Sequence, residues 1–217
     1  MYKEAIEKIV WPPGSDTFKI RPKAVVDGVV RRNGVKPIRD AFLSLMNEAG
    51  WKSEKGLDFG EAKEALNTDV VLYPQGSRYT EECTTGFGGF DFYTESSGLR
   101  VVIEWETGNI SSSHRSVNKL CICLKASIID AGVLIVPSRS LYKHLTDRIG
   151  NIDELSGYLN LWQTAARTCE RGLLAVTVVE HDTLAGPGDD VDYIPAGLDG
   201  NSLMRRAQSG SGRRDPQ

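Results

Sequence analysis

The chain has 217 residues, is 40% hydrophobic and carries a net charge of −3. It can bury one good core, and no apolar run reaches membrane-spanning length. The N-terminal MYKEAIEKIV reads as a mixed-charge helix start rather than a signal peptide. Cys83, Cys121, Cys123 and Cys169 have no zinc spacing, so reduced thiols and a cytoplasmic protein are expected.

In chain order, a first helix over about 1–10 is broken by Trp11-Pro12-Pro13-Gly14. An amphipathic helix is expected over 36–51, with Pro37 in its first turn, Ile38, Phe42, Leu45, Met46 and Ala49 on one face, and Gly50 at its end. The stretch 56–89 is the least legible, with a short helix at 61–66 and a strand at 70–73 expected inside it. Strands over 90–94 and 99–107 flank the turn Glu95-Ser96-Ser97-Gly98. A helix over 111–127 carries Val117, Leu120, Cys121, Leu124 and Ile128 on one stripe, and the apolar run 131–136 reads as a buried strand. Strand, helix and strand make a crossover unit, so the expected fold class is α/β, a central mixed sheet flanked by helices. Helices over 140–149 and 152–167 and a strand over 173–179 complete the body. From Leu184 on, Gly, Pro and Asp dominate and an extended arm is expected.

The stretch VVIEWETGNISSSHRSVNKLCICLK, 101–125, is the most informative. Period-two alternation puts Val102, Glu104 and Glu106 on one face, and Leu99, Val101, Ile103 and Trp105 on the other, which reads as the buried one. Two glutamates held this close repel unless a proton or a divalent cation lies between them. Asp91 precedes Glu104 by 13 residues on the partner strand of the hairpin. Hard Mg²⁺ takes such oxygen ligands and retains waters. The same spacing also occurs as a solvated strand face. After Glu106 comes a polar segment with no acid up to Lys125: Asn109, Ser111 and Arg115 open the 111–127 helix, where free N–H groups favour phosphate. The negative net charge argues mildly against a nucleic-acid binder. Clustering of Arg115, Lys119 and Lys125, and of Arg205, Arg206, Arg213 and Arg214, answers it.

An Asp on one strand and Glu-x-Glu on the next is the core of the PD-(D/E)XK nucleases. The segments EWETGNISSSHRSVNKL and LTDRIGN, with Trp11-Pro12 and Thr17-Phe18, resemble the BamHI family of type II restriction endonucleases. The similarity is dense over 102–161, weaker over 9–58 and 193–204, and absent over 59–89. It implies a nuclease domain over 1–183 with an insertion at 56–89, followed by a flexible arm over 184–217.

By this resemblance Asp91, Glu104 and Glu106 fall on the family's metal-binding and catalytic acids, and Glu54 on a further metal ligand. Read alone, Glu54 is an exposed residue after a helix. Most nucleases of this fold have Lys at the position of Glu106. A Glu there cannot stabilise an anion; it can hold a metal or take a proton from the attacking water. The expected cofactor is Mg²⁺, with Mn²⁺ as a substitute and Ca²⁺ binding without supporting cleavage.

In a major groove Asn pairs with adenine, Arg with guanine, and an Asp-Arg pair can read both bases of a G·C pair. Alone, Asn109 reads as a helix cap, Asp147-Arg148 as a surface ion pair and His114 as neutral packing. The resemblance makes Asn109, Ser111, Arg115, Asp147 and Arg148 base readers of the palindrome GGATCC, cut after the first G. It makes Arg39 a backbone contact and the segment containing Asp199 and Gly200 an arm in the minor groove. A palindrome demands a homodimer on double-stranded DNA, and a restriction enzyme implies a cognate methyltransferase. Two alternatives stand beside this reading. One is a relative of the same fold with a different or degenerate target, against which intact Asp147-Arg148 argues. The other is a catalytically silent DNA-binding protein, which has no use for four acids beside phosphate.

Overall fold

The computed structural model describes residues 2–57, 71–72, 76–78, 88–146 and 148–196; of residues 54, 71, 72, 77 and 78 it describes the backbone. The elements run α1 (Tyr2–Glu7), β1 (Lys19–Ile20), β2 (Ala24–Val26), β3 (Val29–Arg31), α2 (Lys36–Glu48), β4 (Lys52–Lys55), β5 (Val71–Leu72), β6 (Ser77–Arg78), β7 (Phe90–Ser96) and β8 (Leu99–Trp105). They continue with α3 (Ile110–Lys125), β9 (Ala131–Pro137), α4 (Arg139–Tyr142), α5 (Ile152–Ser156), α6 (Leu159–Arg167), β10 (Leu173–Val179) and β11 (Thr183–Leu184). The helix expected at 61–66 lies outside the described residues.

The central sheet has the order β10-β9-β8-β7-β4. β8, β9 and β10 are parallel; β7 is antiparallel to β8, and β4 to β7. This is the expected mixed α/β sheet. β7 and β8 close on Ser97 and Gly98 with φ of +52° and +74°, the two positive dihedrals that match hairpin twist. Crossover helix α3 carries the chain from β8 to β9, as the alternation of apolar runs predicts.

The sheet is covered on both faces, which corrects the expectation of one buried face on β8. Ile103 and Trp105 pack with Phe92, Val133, Ile135, and with Phe42 and Met46 of α2. The Phe42 ring lies 5.5 Å from Phe92 and 4.7 Å from Trp105 between centroids. Burial of one such ring contributes roughly 1.5–3 kcal/mol. Val102 points the other way, into a second core with Phe90, Val117, Leu120, Leu124, Leu134, Val136 and Trp162. Glu104 and Glu106 are buried beside it. Leu99, placed on the buried face by its spacing, is exposed at the strand start.

Two helices depart from expectation. Among the described residues of the 140–149 stretch, helix is confined to 140–142, the end of α4, because the next residues find tertiary partners. Asn33 donates its backbone N–H to the His144 carbonyl (2.8 Å) and accepts from the Thr146 N–H (2.8 Å). The 152–167 stretch is split between α5 and α6 at Gly157 and Tyr158. The chain beyond Leu184 also stays on the body. β11 pairs with β1, Tyr193 Oη donates to the Pro22 carbonyl, and Ala185, Val191 and Ile194 are buried. The packed body therefore reaches at least Ile194.

Candidate active site

Strand register places the backbones of three acidic residues level with one another at the open end of the β7–β8 hairpin. Phe92 pairs with Ile103, which sets Asp91 level with Glu104. Ser53 pairs with Phe92 and Lys55 with Phe90, so the backbone of Glu54 on β4 stands level with Asp91. Glu54, Asp91 and Glu104 thus form one row across three adjacent strands. Glu106 follows one residue past β8, its N–H still bonded to the Ile135 carbonyl at 2.9 Å.

Each described carboxylate has a partner. Asp91 Oδ1 accepts from Arg39 at 2.7 Å and Oδ2 from the Trp105 N–H at 2.8 Å. Glu104 Oε1 forms an ion pair with Lys119, and Glu106 Oε1 accepts from the Gly108 N–H. Burial pushes the Glu104 carboxyl above the ordinary glutamate range, against the pull of Lys119. Burial raises Glu106 as well, opposed by the Gly108 N–H and the Ser113 hydroxyl, with Glu104 and Asp91 adding repulsion.

Among the described residues no three His, Cys, Asp or Glu side chains already converge as metal ligands. The donor chemistry nevertheless fits a hard divalent cation. Asp91, Glu104 and Glu106 offer carboxylate oxygens that are partly or largely buried, and two of these acids already bind positive charge, Asp91 from Arg39 and Glu104 from Lys119.

The segment after Glu106 is locked in place. The Gly108 carbonyl accepts from the Gly150 N–H at 3.0 Å. A Cβ on Gly108 would lie 2.6 Å from Ser112 Oγ and 2.8 Å from Glu106 Oε1, and one on Gly150 would lie 2.1 Å from Ser113 Oγ. A side chain at either glycine would force Ser112, Ser113 or Glu106 to move. Asn109 caps α3, its Oδ1 accepting from the Ser111 and Ser112 N–H groups at 3.0 and 3.3 Å. Asn109, Ser111 and Arg115 are exposed on this first part of α3, and Arg148, two residues before Gly150, is exposed as well. Asp147, Asp199 and Gly200 lie outside the described residues.

Arg39, expected on a DNA backbone, lies on Asp91. His114 packs edge-on against Tyr158, 4.4 Å between ring centroids. Lys119, grouped in the sequence with Arg115 and Lys125 as clustered positive charge for nucleic acid, is instead buried beside Glu104 on the packed stripe of α3. One residue escaped sequence reasoning altogether. Asn33 is fully buried and joins three segments. It donates through Nδ2 to the Arg21 and His144 carbonyls and accepts at Oδ1 from the Ile194 N–H. No local pattern announces it.

The chain matches the family model described as restriction endonuclease BamHI over residues 1–201. It belongs to that family. This BamHI-family chain is 33% identical over 201 residues to the type II restriction enzyme OkrAI of Oceanobacter kriegii, covering 93% of the chain and 87% of that protein. It is also 33% identical over 160 residues to the type II restriction enzyme BamHI of Bacillus amyloliquefaciens, covering 73% and 65%. Among solved structures, the restriction endonuclease BglII complexed with a DNA 16-mer superposes with a TM-score of 0.51 at 8% identity, over 89% of this chain and 77% of that one; that match speaks for the fold. The protein is a type II site-specific deoxyribonuclease with the expected restriction-endonuclease architecture. No helix of the described residues is long and apolar enough to cross a membrane.

Proposed function

We propose that this enzyme is a Mg²⁺-dependent homodimer that cuts GGATCC after the first G, leaving 5′-GATC ends. One observation carries the reading: the row of acids on β4, β7 and β8 ends at Glu104, and Glu106 just beyond it lies three residues before Asn109, the cap of the helix bearing Ser111 and Arg115. Chemistry and base reading thereby share one short, rigid connection.

In this reading Glu54, Asp91 and Glu104 hold the cation. Bound there, Mg²⁺ offsets charge on the scissile phosphate and lowers the pKa of a water. Mn²⁺ substitutes, and Ca²⁺ binds without supporting cleavage. Glu106, oriented by the Gly108 N–H and made a stronger base than an ordinary glutamate by burial, accepts the proton of the attacking water. Asn109, Ser111 and Arg115 read the inner bases, and Asp147 with Arg148 the outer G·C pair. Each bidentate contact contributes about 1–3 kcal/mol of discrimination. Asp199 and Gly200 contact the minor groove in this reading.

The dimer presents one centre to each strand. Exposed Tyr158, Leu159 and Leu161 support α6 as part of its interface, along a groove of about 830 Å³ lined by Val117, Leu159 and Trp162. Such an enzyme acts in the cytoplasm beside a methyltransferase that protects the host's own sites.

The test is digestion of a plasmid with a single GGATCC site, in Mg²⁺ and in chelator, with sequencing of the ends. Linear product with 5′-GATC ends in Mg²⁺ alone is expected. Different ends would replace the target, and equal cutting in chelator would remove the metal.

A further inference from the structure

Among the described residues Lys119 is the one buried cation. Its side chain is 7% exposed and the Glu104 side chain beside it 10%. Three partners surround the ammonium: Glu104 Oε1, the Gly89 carbonyl at 2.9 Å, and the face of Phe90, 4.1 Å from the ring centroid. The charge is thus fully enclosed by acceptors and a ring. A buried ammonium is costly unless it offsets another buried charge, and here that charge is a member of the acid row. The geometry places Lys119 on the α3 side of Glu104, with Asp91 and the hairpin edge beyond it.

We propose that Lys119 is a positioning residue, a resident cation that holds Glu104 folded and oriented while the centre is metal-free. It fixes one carboxylate oxygen from behind and leaves the other for the divalent cation. This inference rests on the metal reading of Glu104 above. Its consequence is that the acid row is assembled before metal arrives, so folding does not wait on the cation. Without Lys119, the divalent ion becomes the sole compensating charge for Glu104, and folding becomes metal-linked.

The test compares thermal unfolding of the parent, Lys119→Met, Glu104→Gln and the double variant, each in EDTA and in Ca²⁺, which reports binding without turnover. Methionine keeps the buried stem and removes the charge. Lys119→Met is expected to lower the Tm in EDTA on the order of 10 °C, with at least half regained in Ca²⁺. In the Glu104→Gln background the same substitution is expected to cost far less, and Ca²⁺ to change little. That comparison also carries the test if the single variant is too unstable to purify in EDTA.

An unchanged Tm for Lys119→Met in EDTA overturns the proposal. So does a loss that neither Ca²⁺ nor Glu104→Gln relieves, since lost packing alone would behave that way. Relief by Glu104→Gln without relief by Ca²⁺ also overturns it. Plasmid cleavage by the parent in Mg²⁺ then decides whether the metal reading fails with it.

Discussion

Arg39 on α2 donates to Asp91 Oδ1 at 2.7 Å. The guanidinium and the Asp91 side chain are 25% and 18% exposed, so the pair is largely withdrawn from water. In the metal-free protein this helix-borne cation stands beside the position where a divalent ion is proposed. Arg39→Met should therefore lower stability in chelator by about 1–3 kcal/mol. The deficit should narrow in Ca²⁺. Urea unfolding in the two conditions measures it, and an equal deficit in both would separate Arg39 from the cation.

Glu104 and Glu106 are both raised by burial. The folded state then holds protons more tightly than the unfolded one. Their contribution to stability is full below the ordinary glutamate value of about 4.3 and is lost as pH rises through the folded values. The metal-free protein should lose stability over that window, and Glu106→Gln should flatten the loss. Divalent ions compete with the same protons, so the Tm increase caused by Ca²⁺ should be larger at pH 8 than at pH 6.

Asp130 has the opposite sign. The Arg100 N–H and guanidinium, at 2.9 and 3.0 Å, and Arg171, at 3.3 Å, hold its carboxyl below the usual range. Its contribution is present above the ordinary aspartate value and lost as pH falls through the folded one. Asp130→Asn should cost about 1–2 kcal/mol at neutral pH. The gap from the parent should close in strong acid, as read by urea midpoints across pH.

Asn33→Ala tests the buried hub. It removes the amide that joins the Arg21 and His144 carbonyls to the Ile194 N–H, at about 1–3 kcal/mol for each partner left unpaired. The loop it holds leads to Asp147 and Arg148. Discrimination at the outer base pair should therefore fall along with stability, measured as the ratio of cleavage at GGATCC to cleavage at sites altered there.

Glu106→Lys should abolish cleavage and keep specific binding, because it puts a cation where the proton acceptor is proposed. Retained cutting would remove Glu106 from the chemistry. Arg148→Ala should weaken binding to GGATCC far more than to unrelated DNA; a uniform loss in gel shifts would make it a phosphate contact instead.

Local pattern was enough for the elements that carry Asp91 and Glu104, while β4, which carries Glu54, had no strand signal of its own. The β7–β8 hairpin, α3 and β9 follow from alternation, turn residues and an apolar stripe, and these signals set Asp91 beside Glu104. Tertiary contacts decided the rest. The 140–149 helix stops early because the backbone of Asn33 offers partners more than a hundred residues away. The 184–196 segment reads as an arm because Gly, Pro and Asp dominate it, yet Ala185, Val191 and Ile194 find pockets on the body. Residue spacing assigned the 102–106 face to the acids; that α3 would cover this face as well, and send Lys119 into it, is a property of packing.

The turn at Gly108 bears on how such an enzyme can change over evolutionary time. Its N–H orients Glu106, its carbonyl is tied to Gly150, and Asn109 follows at once as the cap of α3. A substitution made at Asn109, the proposed base reader, also disturbs the peptide that aims the neighbouring carboxylate. Under that proposal, target choice through this turn is coupled to how Glu106 is held.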